Sequence, residues 1–426
     1  VVLIIALAVL AGLVALVASV AASQQLAVRA EANRINSVRA RIAAEAGIQR
    51  ALAAIAGTIQ DTSTATTGTA ATGTTVQGQA QLQTDEWYTL GNKGEERFTV
   101  GGATFRIEIV DAGSLVNLNT ALEAQLNQLP LTTEQVASLL DWREVGTTAR
   151  TEGAKDEYYN ALEKPYNAKL RRMDSFDELL NIRYFTPVDL YQVNDNSSTT
   201  TPLPALTDGR QAVLYDLATV DSFNAQLQPS GTAMVNINTA NVSQRLVQAG
   251  MSLQTAQTLA PGTAAPSFAD IGAVLAAVRN PADQAIVLDA VTTSPATRVE
   301  GKINLNTASE AVLMSIPQMT QDLAQGIVAY QSTGFTKLSD LLQVSGFTDT
   351  NNLQRFAPYF TVRSSIFLVR IVGECGGTQV ALEAVVDTSS QAPRLIKMHD
   401  QPYSDMPTRW GWQPDPTNDT VLVASN

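Results

Sequence analysis

The chain has 426 residues, more than one hydrophobic core ordinarily fills, so several compact units are expected. Its 28 Lys and Arg stand against 40 Asp and Glu, a net charge of -12, which argues against a protein that holds nucleic acid by neutralising phosphates. A single Cys and a single His exclude an internal disulfide and a Cys/His zinc site, leaving any metal to oxygen ligands.

From Val1 to Ala22 the sequence reads VVLIIALAVLAGLVALVASVAA, and no ionisable side chain precedes Arg29. That run is long enough to span a bilayer. It opens inside the apolar stretch, with neither Met nor a basic region ahead of it, as expected of a processed or a trimmed chain rather than of a secretory leader still in place. Ala22 to Ala56 contains no Pro and only Gly47, and its Ala, Leu and Ile alternate with Arg29, Glu31, Arg34, Arg39, Arg41, Glu45 and Arg50 at helical spacing. A continuous helix of that length rises ~1.5 Å per residue into a rod of about 80 Å. A simple anchor needs only its apolar half; a rod half in lipid and half packed on a head needs both halves.

Gly57 to Gly78, rich in Thr, Ala and Gly, has no apolar period and is expected to be loop or weak edge structure. Phe98–Val100 and Ala103–Val110 flank Gly101-Gly102 as a hairpin, and Ser365–Val372 and Thr378–Val386 flank Gly376-Gly377 in the same way, with Arg394–Met398 as a further strand. Strands at both edges with helices between predict a small antiparallel sheet carrying Gly113 to Tyr359 as an insertion. Inside it one hexapeptide pattern occurs as Val116–Ala121, Val235–Ala240 and Ile303–Ala308, each with Asn at its second and fourth positions and Thr-Ala at its end. Thr120 with Glu123 and Thr307 with Glu310 have capping-box spacing, so a helix start is expected at each; Thr239, followed by Val242, has to be capped by Asn238 or Thr239 alone. Ser175–Ile182, Ser267–Asp270 and Thr336–Val344 are a second shared element, so the repeat unit is a small all-α module. The Ser-, Thr- and Pro-rich Asn194–Asp208 reads as a linker after the first module.

The apolar rod, the strand leading into Val116–Thr120, Asp141-Trp142-Arg143, Gly153–Tyr159, Lys164–Asn167 and Ser175–Leu180 together resemble the K-type minor pseudopilin family of type II secretion systems. The resemblance implies an α+β fold: a long transmembrane pilin helix packed on a small antiparallel sheet, with a large inserted all-α region of SAM or helix-hairpin-helix-like repeats. The expected units are an assembly helix at 1–56, the first part of a pilin-like head at 57–112, a first module at 113–193, a linker at 194–230, two further modules at 231–360, and the rest of the head with a C-terminal tail at 361–426. A third copy of the repeat exceeds the usual two. The family also implies an inner-membrane, single-pass protein with a periplasmic head, at a pseudopilus tip. Its partners would be the I- and J-type minor pseudopilins and the major pseudopilin, with a secreted substrate or the outer-membrane secretin as further candidates. Val1 would be the mature N-terminus used in assembly. At position five most pilins carry a Glu thought to neutralise a neighbour's N-terminal ammonium; this chain has Ile5, which fits a tip subunit with no neighbour above it, since an unpaired buried carboxylate is costly.

Other chemistry is sparse. Leu129–Glu134 and Ile316–Asp322 stand where DNA-binding hairpins carry glycines and a basic residue; both features are missing, and the acids there repel phosphate, so nucleic acid is not an expected partner. No phosphate loop, nucleophile elbow or Ser/His/Asp set is present, so no enzyme is expected. The paired acids Asp141/Glu144 and Asp156/Glu157 suit a solvated face first, and calcium ligation second, because the family holds calcium in this region; no cofactor is required. Trp410 and Trp412, in the Pro-rich tail Gln401 to Pro416, fit packing on the sheet better than a docking peptide. A minor pilin of a type IV pilus or DNA-uptake filament, and a membrane-anchored helix-hairpin-helix DNA receptor, remain the rival readings.

Overall fold

The computed structural model describes residues 2–61, 80, 82–193, 203–206, 208–390, 392–401 and 405–413. Residues 57–61, expected to begin a loop, instead continue the first helix, while Val1, the remaining 62–78 of that predicted loop and most of the 194–208 segment lie outside the described residues. The fold is α+β. Helix α1, Val2–Asp61, runs unbroken for 60 residues, about 90 Å at the α-helical rise. Its second half docks through Ala40, Ala43, Ala44, Ile48, Ala51, Ala54 and Ile55, a stripe three and four residues apart made mostly of Ala.

The stripe meets a five-stranded antiparallel sheet of β1 (Phe98–Val100), β2 (Ala103–Asp111), β3 (Ile366–Cys375), β4 (Thr378–Asp387) and β5 (Arg394–Asp400), in that spatial order. The predicted hairpins are both present, with Phe98 opposite Phe105 and Cys375 opposite Thr378. Small residues let rod and sheet close up: a Cβ on Gly373 would lie 1.9 Å from the Ala40 carbonyl oxygen, and one on Gly47 2.9 Å from the Phe105 ring. Phe105, Ile107, Ile109, Val369, Ile371, Leu382 and Ala384 fill the rod-facing side, as strand alternation requires.

The opposite face is polar at its centre. Glu108, Arg370 and Glu383 stand in one cross-strand row, with Arg370 3.4 Å from Glu108 and 3.9 Å from Glu383. Tyr215, Trp410 and Trp412 cover that row. Trp412 donates to Glu108 at 3.0 Å and Trp410 to the Tyr215 hydroxyl at 3.2 Å. Burial pulls the Arg370 guanidinium down, but Tyr215, Glu108 and Glu383 more than offset this and hold it above its ordinary value. Both tail tryptophans are thus packed on the sheet at 3% exposure.

Strands β2 and β3 are immediate neighbours, with Asp111 opposite Phe367, so everything between them is an insertion. Each hexapeptide opens a module with a two-residue strand that pairs in parallel with the strand closing the same module: Val116–Asn117 with Ala218–Thr219, Val235–Asn236 with Val291–Thr292, Ile303–Asn304 with Phe360–Thr361. This corrects the linker expected at 194–230: Leu214–Thr219 is the closing helix and strand of the first module, and Phe223–Ala225 pairs with Arg298–Glu300 at the third module's entry.

The capping boxes expected at Thr120/Glu123, Thr307/Glu310 and the hydroxyl cap at Thr239 are also corrected. The helices begin at Glu123, Glu310 and Ser243, with Leu122, Ser309 and Val242 as N-caps. The Thr hydroxyls are used elsewhere, Thr239 bonding the Asn236 carbonyl at 2.8 Å and Thr307 the Asp111 carboxylate at 2.6 Å. The asparagines explain the repeat. In every copy the first Asn accepts from the backbone N–H of the second at 2.9 to 3.1 Å, an Asx turn. The second Asn then clasps the shared downstream element: Asn119 exchanges bonds with Met173, Asn238 with Phe268 and Asn306 with Phe335. Its amide also reaches the carbonyl of Val220, Thr293 or Val362 just after the closing strand.

Candidate functional site

Two regions carry the residues singled out by sequence. The first is the free part of α1. Ile5 is 58% exposed, and Leu3, Leu7, Leu10, Leu13, Val17, Leu26 and Val28 are exposed with it. This helix is the one among the described residues long and apolar enough to cross a membrane, and none of its most apolar window is buried against the head. The chain therefore presents a lipid-compatible rod whose described apolar side chains are exposed to bilayer or to neighbouring rods. Below it Arg41 pairs with Asp400 at 2.9 Å and Arg50 with Glu86 at 2.5 Å, on the flanks of the docked half.

The second region is the loop after α2 (Thr133–Arg143) in the first module. A true capping box starts that helix, Thr132 accepting from the Gln135 N–H at 3.2 Å while Gln135 returns to the Thr132 N–H at 2.9 Å. At its far end Asp141 is fully buried, which corrects the expectation of a solvated face at this one of the four acids. Its carboxylate accepts from the Arg150 backbone N–H at 2.9 Å and from the Arg150 guanidinium at 2.8 Å. The same guanidinium holds Glu144 at 2.5 Å. Burial pulls Arg150 down, and the bonds from Glu144 and Asp141 outweigh it to hold the group above its ordinary value. Lys155, 5% exposed, donates to the main-chain carbonyls of Asp141 at 2.5 Å and Glu144 at 2.6 Å. Burial pushes its ammonium below the usual lysine range.

The predicted acids do not converge. The carboxylates of Asp141 and Glu144 meet only through Arg150; Asp156, opening α3 (Asp156–Asn160), accepts from the Ala168 N–H at 2.7 Å; Glu157 is exposed. Among the described residues no group of three or more His, Cys, Asp or Glu is placed to hold a metal ion. Behind the loop Trp142 meets Tyr159 edge-to-face and Tyr159 meets Tyr166 at a tilt, each pair with centroids 5.2 Å apart, and burial pushes the Tyr159 hydroxyl up to about 12.

Sequence reasoning missed Lys155 and Arg150 because cations near acids read as surface charge. The third-module hairpin keeps its shape without glycine: Gln318 takes φ 66, in the left-handed region. A further cavity of about 200 Å³ between the second and third modules is lined by Lys302 and Arg363, bonded to the Pro358 and Leu227 carbonyls. Burial lowers them to about 8 and about 10.

A rod docked on an antiparallel sheet, with helical modules inserted between two of its strands, defines a pilin-like membrane subunit with an enlarged head. Residues 114–195 match the family model of type II secretion system protein K, which bears out the resemblance to that family read from the sequence. Residues 299–361 match the helix-hairpin-helix motif, over the third module. The chain is also similar to a solved structure, the GspK-GspI-GspJ complex from the enterotoxigenic Escherichia coli type 2 secretion system, at 11% identity and a TM-score of 0.48, covering 88% of this chain and 100% of that one. A search of curated proteins found no match.

Proposed function

We propose that the chain is a non-enzymatic minor pseudopilin of a type II secretion system, placed at the pseudopilus tip, where it initiates or caps the filament. The observation that carries this reading is the protein K match at 114–195 on a head docked to the second half of an apolar rod. Before assembly the rod spans the inner membrane and the head stands in the periplasm. In the filament, Leu3 to Val28 pack against the rods of I- and J-type minor pseudopilins and the major pseudopilin. Two features support the tip position. Ile5 offers no carboxylate to a subunit above, and the modules inserted between two adjacent strands of the sheet add bulk that would hinder the addition of a further subunit. The helix-hairpin-helix modules serve protein contact rather than nucleic acid, because Asp322 stands in the first turn of the helix after the Gln318 hairpin and opposes phosphate there.

The test is co-purification from detergent-solubilised membranes, comparing the full chain with one lacking residues 1–28. The cut stops at 28 because Ala40 to Ile55 belong to the head's core. Small pilin-like subunits are expected with the full chain and not with the shortened one, and antibody labelling is expected at one end of isolated filaments. Labelling along the shaft, or recovery of nucleic acid in place of pilin-like subunits, refutes the reading.

A further inference from the structure

A calcium ion is the cofactor that the family resemblance offers to the α2–α3 loop, and the residues present do not fit it. Calcium takes about six to eight oxygens at roughly 2.3–2.6 Å. Here the two main-chain carbonyls that end α2, those of Asp141 and Glu144, converge on the Lys155 ammonium. Each Asp141 carboxylate oxygen already accepts an Arg150 donor, Glu144 accepts a third, and Asp156 is turned to the Ala168 N–H. Charge leads to the same conclusion: Asp141 and Glu144 are balanced by Arg150 and Lys155, so a divalent ion would leave a surplus of positive charge in a region where Asp141 and Lys155 are buried.

We propose that Lys155 and Arg150 are the built-in cations of this loop and order residues 141–157 in place of a metal ion. Lys155 occupies the focus of the carbonyl cage at the negative end of the α2 dipole, the position where a cation is most favoured. Arg150 closes the side-chain half of the site with a forked guanidinium that no spherical ion reproduces. Two backbone features are shaped to this arrangement. Glu152 takes φ 61, and Gly153 lies so close to Asp141 that a Cβ there would sit 2.0 Å from its carboxylate oxygen, so the chain lies flush on the acid it encloses. The outcome is a loop whose exposed tip, with Val145 at 88% exposure, is presented in one shape whatever the calcium concentration.

Hydrogen–deuterium exchange on the full chain in detergent tests this locally, since it reads loop opening peptide by peptide. Peptides within 141–157 are expected to exchange at the same rate in excess EGTA and in millimolar calcium chloride. Lys155→Met is expected to speed exchange in those peptides at least tenfold, with no recovery on adding calcium. Calcium-dependent slowing in the unaltered protein overturns the proposal, and so does a Lys155→Met chain whose loop stays as protected as before. If the variant does not fold, the calcium comparison on the unaltered chain still decides.

Discussion

Asn306 is the most deeply set of the three clasping asparagines, 1% exposed, whereas Asn119 and Asn238 are half-buried. Its amide donates to the Phe335 carbonyl at 2.9 Å and its oxygen accepts from the Phe335 N–H at 2.7 Å, with a longer 3.5 Å contact to the Val362 carbonyl. Asn306→Ala leaves the Phe335 N–H and carbonyl without these partners where water does not reach. At ~1–3 kcal/mol for each of the two orphaned groups, the third module loses about 2–6 kcal/mol. Asn119→Ala and Asn238→Ala open groups that water can partly solvate, so each should cost about 1–2 kcal/mol. Hydrogen exchange resolved by module is the assay, because separate modules open separately and a single global melt would blur them. The reasoning is refuted if Asn306→Ala costs less than either of the other two, or if its exchange effect is not centred on 303–362.

Two more predictions follow from packing and charge. Gly373→Ala places a methyl 1.9 Å from the Ala40 carbonyl oxygen, so rod and sheet must part, costing about 2–3 kcal/mol; a thermal melt unchanged from the parent refutes the close approach. Lys302 ionises at about 8 when folded, against an ordinary 10.5, because burial disfavours its charge. Between those values the unfolded chain holds a proton that the folded chain has released, so this group's contribution to stability rises with pH, by at most about 3 kcal/mol. Lys302→Met should therefore gain stability relative to the parent near pH 7, and the gain should vanish by pH 10.5. Denaturant titrations of both chains at the two pH values check this, and a difference independent of pH refutes it.

Much of the fold is legible because it is periodic. The Ala-rich stripe of α1, the alternating Phe105, Ile107 and Ile109, and the glycine pairs at 101-102 and 376-377 each state their structure within a few residues. The repeat was visible too, but its reason was not. Thr-x-x-Glu spacing points to capping boxes, while the working groups are asparagines whose partners lie 29 residues on for Asn306, 30 for Asn238 and 54 for Asn119; no local rule reaches that far. The same limit hid Lys155. A lysine next to Asp156 and Glu157 looks like surface charge until α2 and its loop fold back and put the ammonium on the Asp141 and Glu144 carbonyls. Leu214–Thr219 looked like linker because a two-residue strand is too short to show a period and acquires its identity from Val116–Asn117.

The interruption of the sheet also sets an order of events during synthesis. The rod and β2 leave the ribosome early, but β3 and β4, which complete the surface α1 rests on, follow only after the whole of 112–365. The part of the stripe from Ala40 to Ile55 that β2 does not cover must therefore wait for β3 and β4 while the modules form, each closed by its own strand pair. A stripe of Leu or Phe would be a standing invitation to aggregate. One of Ala, with Ile48 and Ile55 as its two large members, waits quietly and still fits closely when Gly373 finally arrives.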